Sequence, residues 1–149
     1  MKKMNVLVTG GAGFIPSHIV DRLLNDGHKV TVLDLWESAE SKVHNDNPNF
    51  EFIKGDVLND DLIAQCMEGK DRVIHMAAVL GTAETITTFD VEKVCTVNIV
   101  GTTKILKAAK KAGVGRVLIP TTPDVPWINP YKITKAAVEK LCQLFSIEY

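Results

Sequence analysis

A glycine-rich turn close to the amino terminus constrains the fold of this chain more than any other feature. Residues 9–16 read Thr-Gly-Gly-Ala-Gly-Phe-Ile-Pro; they follow an apolar run at 5–8 and precede an amphipathic segment at 19–24. A strand that turns on glycines into a helix leaves backbone N–H groups free at the positive end of the helix dipole, where a pyrophosphate binds. A second apolar run, at 30–33, ends in Asp34, a carboxylate placed to accept hydrogen bonds from an adenosine ribose. The sequence therefore predicts a strand–helix–strand unit that binds a dinucleotide. The alternative, a glycine turn without a ligand, is disfavoured by the spacing of the whole unit.

The third glycine of the usual dinucleotide pattern is missing, because position 16 is occupied by Pro16. Proline is tolerated in the first turn of a helix, since its absent N–H would have no intrahelical partner there. Its ring still fills space that a glycine leaves open for helix–strand packing and for the dinucleotide. We therefore expect the fold to be retained and the affinity for a dinucleotide to be reduced.

Segments typical of strands alternate with segments typical of helices along all 149 residues, without repeats or low-complexity linkers. The predicted strands lie at 5–9, 29–34, 50–53, 72–75 and 116–119, and the predicted helices at 14–26, 60–68, 90–112 and 130–149. This alternation predicts one α/β domain over 1–149, a Rossmann-type doubly wound parallel sheet of five strands with helices on both faces. The expected strand order is 3-2-1-4-5, with the ligand at the carboxyl edge where that order reverses.

Composition excludes several classes of partner. The net charge is −1 and the lysines are scattered, so neither a nucleic-acid surface nor a membrane surface is predicted, and no apolar stretch is long enough to cross a bilayer. The three cysteines are widely spaced and form no Cys-x-x-Cys pair, and the histidines share no metal-ligand spacing. We expect a cytoplasmic protein with reduced cysteines and no metal site.

Tyr131 and Lys135 form a Tyr-x-x-x-Lys pair on the last predicted helix, where positions i and i+4 share one face. A nearby ammonium lowers the pKa of a tyrosine and so suits it to general acid–base catalysis near neutral pH. Thr121 and Thr122 follow the fifth predicted strand and add hydroxyls at the same edge of the sheet. A solvated helix-face pair and a polar strand terminus are the alternatives left open by these residues alone.

Several short segments together carry a family resemblance, and they occur in the family's order over nearly the whole chain. They are 8–15, Leu33-Asp34, 55–57, 73–78, 98–102, Thr121-Thr122 and 130–135. By these segments the chain resembles the extended short-chain dehydrogenase/reductases, and especially the nucleotide-sugar epimerases and dehydratases. The resemblance implies NAD as cofactor and a sugar nucleotide as substrate.

The resemblance also implies roles for individual residues. Thr122, Tyr131 and Lys135 match the catalytic residues, and Asn98 matches an asparagine that shapes the site from within the long helix. Asp34 lacks a following arginine, which favours NAD over NADP. His75 is expected to be a hydrogen-bonded core residue. The implied cofactor-binding residues are Gly10, Gly13, Phe14, Ile15, Asp34, Asp56, Val57, Met76, Ala77, Ala78, Asn98, Tyr131 and Lys135.

The chain departs from the family pattern after Thr122. Only eight residues separate Thr122 from Tyr131, where the family has a longer loop, and the chain ends at Tyr149. The family continues into a C-terminal substrate-binding region, which we expect to be absent. Pro123-Asp124 replaces the Asp-Glu pair typical of the dehydratases, so epimerase chemistry is the better match.

Three functions remain open at this point. The first is sugar-nucleotide epimerisation, with Tyr131 as acid/base and hydride transfer to NAD. The second is a catalytically silent NAD-binding or dimerisation module, and the third is a small carbonyl reductase. For each, the family resemblance implies a homodimer formed through the helices at 90–112 and 130–149.

Overall fold

A five-stranded parallel sheet forms the centre of the computed structural model, which describes residues 2–80, 90–122 and 128–148. The strands are β1 (Asn5–Thr9), β2 (Lys29–Asp34), β3 (Phe50–Lys54), β4 (Arg72–His75) and β5 (Arg116–Leu118). Their order is β3-β2-β1-β4-β5, with all neighbours parallel. The predicted strand order is confirmed, and every predicted strand boundary lies within one residue of the observed one.

The helices that accompany the sheet also follow the predicted order. They are α1 (Phe14–Asn25), α2 (Ala39–Lys42), α3 (Asp60–Met67), α4 (Val91–Cys95), α5 (Thr102–Lys111) and α6 (Pro130–Glu148). A π-helical segment, Thr96–Gly101, joins α4 to α5. The single helix predicted at 90–112 is therefore continuous but widened in its middle.

The two faces of the sheet bury separate apolar cores, because successive side chains of a strand point to opposite sides. On β1, Leu7 packs into the core covered by α3 and α5, whereas Val6 and Val8 pack into the core covered by α1. Helices therefore cover both faces, as predicted. Since both faces are covered, the strands are apolar almost throughout, which is typical of parallel sheets.

The π-helical segment has an identifiable local cause. The Thr102 hydroxyl donates to the Asn98 carbonyl at 2.6 Å, and the Thr103 hydroxyl donates to the Ile99 carbonyl at 2.8 Å. Threonine hydroxyls that bond to carbonyls four residues earlier compete with the backbone ladder. Two such bonds side by side stabilise the wider turn.

Helix α6 begins with a side-chain cap and a proline, and it packs against the π-helical segment. Asn129 accepts a hydrogen bond from the Lys132 N–H at 2.8 Å, and Pro130 occupies the first helical position. Thr134, Lys135 and Val138 are buried. These features fix the face of α6 that carries Tyr131 and Lys135.

The described residues contain neither a membrane-spanning helix nor a cluster of metal-ligating side chains. No helix in 2–80, 90–122 or 128–148 combines the length and the apolar character needed to cross a membrane. The same ranges contain no group of three histidine, cysteine or acidic side chains arranged to hold a metal ion.

Candidate active site

Gly10 opens the turn between β1 and α1, and its position is closed to any larger residue. Its φ is +68°, and its N–H donates to the Leu33 carbonyl at 2.8 Å. A Cβ atom built on Gly10 would lie 2.6 Å from the backbone nitrogen of Ala77 and 2.9 Å from the carbonyl carbon of Met76. The end of β4 therefore passes directly over the turn. We call the carboxyl edge of the sheet that is bounded by these two backbones the proposed cleft, with Gly10 and residues 76–77 as its floor.

The amino terminus of α1 directly follows the glycine turn and has no side-chain cap. Gly13 is the N-cap and has no side chain that could accept from the N–H groups of the first turn, and this turn carries no acidic residue. Phe14 is 82% exposed and Ile15 is 64% exposed. An uncapped first turn with the positive end of the helix dipole is suited to an anionic group such as a pyrophosphate.

Pro16 is accommodated in α1 as expected. The helix begins at Phe14, and the proline ring is buried. A Cβ atom built on Gly13 would lie 3.2 Å from Cγ of Pro16, so the ring packs over the glycine. The proline removes one N–H donor from the first turn, and the N–H groups of Phe14 and Ile15 remain.

Asp34 lies at the carboxyl end of β2, beside the glycine turn. Its carboxylate accepts from the Ala12 N–H at 3.0 Å and from its neighbour's N–H, that of Leu35, at 2.7 Å. The two oxygens of an ionised carboxylate offer about four acceptor sites, so each retains a free lone pair. Asp34 is thus positioned by the turn and can still accept hydroxyl donors.

The other residues implied for the cofactor lie along the same edge. The Asp56 carboxylate accepts from the Leu58 N–H at 2.9 Å, and Val57 is buried against Gly101 of the π-helical segment. Met76–Ala78 follow β4, where the Met76 N–H donates to the Thr9 carbonyl at 2.9 Å. The glycine cradle, the uncapped helix and the two carboxylates together fit a dinucleotide.

Asn98 is buried and is bonded within the protein. Its side-chain oxygen accepts from the Val79 N–H at 2.8 Å, and its side-chain amide donates to the Val79 carbonyl at 3.1 Å and to the Thr134 hydroxyl at 3.0 Å. Both amide hydrogens are therefore used within the protein. Asn98 joins the segment after β4 to α6.

Tyr131 and Lys135 lie together on α6, with the lysine Nζ 5.8 Å from the centre of the tyrosine ring. Burial raises the pKa of the Tyr131 phenol above 10.0, and burial lowers the pKa of the Lys135 ammonium. The expected lowering of the tyrosine pKa is therefore wrong for this structure. The ammonium lies over the face of the ring, and burial of the phenol is the dominant effect.

Thr122 is not joined to the tyrosine pair. It is half-buried beyond the end of β5, and no hydrogen bond links it to Tyr131 in the described part of the chain. Pro123 and Asp124, on which the choice between epimerase and dehydratase chemistry was based, lie outside the described residues. The catalytic role of Thr122 stays a prediction.

His75 is a buried, neutral residue at the end of β4. Burial, together with the nearby Lys135 ammonium, lowers the pKa of its imidazole to about 3. Its Nδ1 lies 2.5 Å from the Thr9 hydroxyl and its Nε2 lies 3.0 Å from the Thr102 hydroxyl. Sequence analysis assigns no role to these two threonines, although Thr9 lies within segment 8–15 and Thr102 within segment 98–102.

The shifted pKa of His75 predicts a loss of stability in acid. Because the unfolded chain binds a proton near pH 6.5 and the folded chain does not, this contribution is complete above pH 6.5 and declines as the pH falls towards 3. We expect the wild type to lose about 2 kcal/mol between pH 8 and pH 5 through this group. Urea unfolding of the wild type and of His75→Gln at both pH values isolates the contribution of His75 to the free energy of unfolding, because the other titrating groups are common to both proteins. An equal loss in the variant would contradict the assignment.

Comparison with known proteins agrees with this geometry. A family profile described as the NAD dependent epimerase/dehydratase family matches residues 6–149. UDP-glucose 4-epimerase from Mycolicibacterium smegmatis is 37% identical over 164 aligned residues, covering 95% of this chain and 51% of that protein. Among solved structures, UDP-N-acetylglucosamine 4-epimerase from Methanobrevibacter ruminantium superposes with a TM-score of 0.84 at 30% identity, covering 100% of this chain and 52% of that one.

A further structure is that of UDP-glucose 4-epimerase from Brucella ovis in complex with NAD, with a TM-score of 0.83 at 27% identity, covering 98% of this chain and 49% of that one. The chain therefore spans about half the length of these relatives. The family profile matches residues 6–149, nearly the whole chain, and the chain therefore belongs to the NAD dependent epimerase/dehydratase family.

Proposed function

We propose that this chain binds NAD in the cleft between the glycine turn and the end of β4. The observation that carries the proposal is the meeting of three features: the closed cradle at Gly10, the uncapped amino terminus of α1, and the Asp34 carboxylate bonded to the turn. Gly13, Phe14 and Ile15 serve the pyrophosphate, and Asp34 serves the adenosine ribose. Asp56, Val57 and residues 76–78 line the remainder of the dinucleotide.

The proposed chemistry is epimerisation of a sugar nucleotide. Bound NAD supplies a hydride acceptor and donor at the reacting carbon. Tyr131 exchanges a proton with the sugar hydroxyl, and Lys135 supports it and holds the nicotinamide ribose. Thr122 is proposed to bond to the same sugar oxygen. Two similarities support the proposed epimerisation: a related sequence is that of a UDP-glucose 4-epimerase, and a similar structure is that of a UDP-N-acetylglucosamine 4-epimerase.

Calorimetric titration of the cofactor-stripped protein with NAD and with NADP tests the binding step. We expect micromolar NAD binding and NADP binding at least tenfold weaker, because a 2′-phosphate would meet the Asp34 carboxylate without a compensating cation. Equal affinities would contradict the role of Asp34. No binding of either at millimolar concentration would overturn the proposal.

Pro16→Gly provides an informative companion in the same titration. The substitution restores a backbone N–H and removes the ring, so we expect tighter NAD binding. It also costs about 1 kcal/mol of helix stability, since glycine is more flexible in the unfolded chain. Unchanged affinity would mean that the proline does not obstruct the site.

A catalytically silent NAD-binding module is the second candidate. Two observations favour it: Thr122 lacks a hydrogen bond to Tyr131 in the described part of the chain, and burial raises the pKa of the Tyr131 phenol. The two candidates share the NAD site and differ in turnover. Detectable conversion of a UDP-sugar by the isolated chain excludes the silent module, and reduction of small ketones with NADH would instead support a carbonyl reductase.

A homodimer and a cytoplasmic location complete the proposal. The helices at 90–112 and 130–148 expose apolar side chains, namely Val91, Val100, Ile133, Leu144 and Ile147. A second copy of the chain would cover this surface. Light scattering at tens of micromolar should give twice the monomer mass, whereas a monomeric mass would contradict the dimer.

The three free cysteines are consistent with a reducing compartment.

A further inference from the structure

A chain of hydrogen bonds through His75 lies beneath the proposed dinucleotide cleft. The imidazole Nδ1 is 2.5 Å from the Thr9 hydroxyl, and Nε2 is 3.0 Å from the Thr102 hydroxyl. The Thr102 hydroxyl is in turn 2.6 Å from the carbonyl oxygen of Asn98. All four residues are at least 97% buried. Water therefore does not compete for these bonds, and each donor must find its acceptor inside the protein.

The direction of each hydrogen bond in this series follows from the last one, between the Thr102 hydroxyl and the Asn98 carbonyl. A carbonyl oxygen has no hydrogen, so the Thr102 hydroxyl donates to Asn98 and its oxygen must accept from Nε2–H of His75. A neutral imidazole that carries its proton on Nε2 has a bare Nδ1, which accepts from the Thr9 hydroxyl. Only the neutral Nε2–H tautomer satisfies all three groups at once.

The bonded groups belong to the three segments that shape the cleft. Thr9 immediately precedes Gly10, the floor of the glycine turn. His75 immediately precedes Met76, whose backbone lies over that turn. Thr102 begins α5 directly after the π-helical segment, in which Asn98 holds Val79 through two hydrogen bonds. The imidazole thus fixes the spacing between the glycine turn, the end of β4 and the start of α5.

We propose that His75 is a positioning residue for the dinucleotide, acting as a neutral Nε2–H tautomer that holds the glycine turn at a fixed distance from the end of β4 and the π-helical segment. The inference rests on the proposed NAD-binding function. An apolar side chain of similar volume could fill the same space, but it could not hold both hydroxyls in register. Loss of the hydrogen bond to Thr102 therefore changes cofactor affinity as well as stability.

Substitution of Thr102 tests this without altering the imidazole. Thr102→Val keeps the shape and leaves Nε2–H without an acceptor; we expect the NAD dissociation constant to rise about tenfold, as for one misplaced buried hydrogen bond. Thr102→Ser keeps the hydroxyl and should bind within about twofold of the wild type. Thr103→Val is the matched control, because Thr103 bonds to Ile99 in the same π-helical segment and has no bond to His75. It should leave the dissociation constant unchanged.

Calorimetry and thermal unfolding of all three variants separate positioning from stability. If Thr102→Val lowers the melting temperature but binds NAD like the wild type, His75 has a purely structural role and the proposal is overturned. If the wild type itself binds no NAD, the proposed function fails and the positioning role fails with it. If the wild type binds NAD and Thr102→Val has the same dissociation constant, only the positioning role of His75 is overturned and the proposed NAD binding stands.

Nitrogen-15 NMR of the imidazole gives a second readout that does not depend on the cofactor. Long-range correlations at pH 7 should identify His75 as neutral, with the proton on Nε2. A neutral ring with its proton on Nδ1 would reverse both bonds of the imidazole, and a doubly protonated ring would reverse the bond to Thr9; either result would overturn the proposal.

Discussion

Tyr131→Phe is expected to lower the rate of the proposed UDP-sugar epimerisation by about a hundred- to ten-thousandfold, the range attributed to a single general acid–base group. NAD binding should change little by comparison. The substitution removes only the phenol oxygen, and the ring that faces Lys135 is retained. The hydrogen bond from the Thr134 hydroxyl to the backbone carbonyl of residue 131 is also unaffected. The fold around the site should therefore persist while proton transfer is lost.

The pH dependence of the wild-type rate provides the signature of this group. Because burial raises the pKa of the Tyr131 phenol, the phenolate is scarce at neutral pH, and the rate that uses it as a base should rise with pH. In Tyr131→Phe this rise should disappear. Turnover is measured by incubating UDP-glucose with the protein and NAD at several pH values and separating the substrate from its 4-epimer.

Thermal unfolding and NAD calorimetry of Tyr131→Phe serve as controls for a general loss of structure. A variant that turns over at the wild-type rate would mean that Tyr131 does not carry the proton. Lys135→Met addresses the same step from the neighbouring residue. Its side chain is buried, so removing the ammonium changes the electrostatics around both Tyr131 and His75.

The parts of this fold that were predictable from sequence depend on local patterns. The apolar run of β1 and the glycines after it specify a strand that turns into a helix, and Asn59 caps α3 through the Leu62 N–H. Alternation of such units leaves few topologies, because parallel strands need crossover connections and those have one hand. The carboxyl edge, with Asp34 and Asp56 on it, follows from the strand order.

The electrostatics of the site could not be read in the same way. The spacing of Tyr131 and Lys135 predicts that they are neighbours, but it does not say whether burial or the ammonium dominates the tyrosine pKa. That balance depends on residues distant in sequence that pack around α6. The bonds from His75 to Thr9 and Thr102 likewise join positions 66 and 27 residues apart. Likewise, the π-helical segment depends on hydroxyl bonds that the helical apolar pattern does not encode.

Gly10→Ala is expected to abolish NAD binding and to destabilise the fold by more than backbone strain alone explains. A residue with a Cβ pays about 1–2 kcal/mol at a φ of +68°. The added methyl would also lie 2.6 Å from the nitrogen and 2.7 Å from the Cα of Ala77. These are backbone atoms, which cannot turn aside as a flexible side chain does. The end of β4 must move, and the floor of the cleft moves with it.

Gly69→Ala is the control that separates backbone strain from the contact between the added methyl of Gly10→Ala and the backbone of Ala77. Gly69 has nearly the same backbone conformation, with φ of +65°, but a Cβ atom there meets nothing within 4 Å. Urea unfolding should therefore show a loss of about 1–2 kcal/mol for Gly69→Ala and a clearly larger loss for Gly10→Ala. Calorimetry should show wild-type NAD affinity for the former and none for the latter. Equal stabilities with retained binding in both would mean that the segment at 76–77 yields to the methyl, and that the close approach of the two backbones is not what shapes the dinucleotide site.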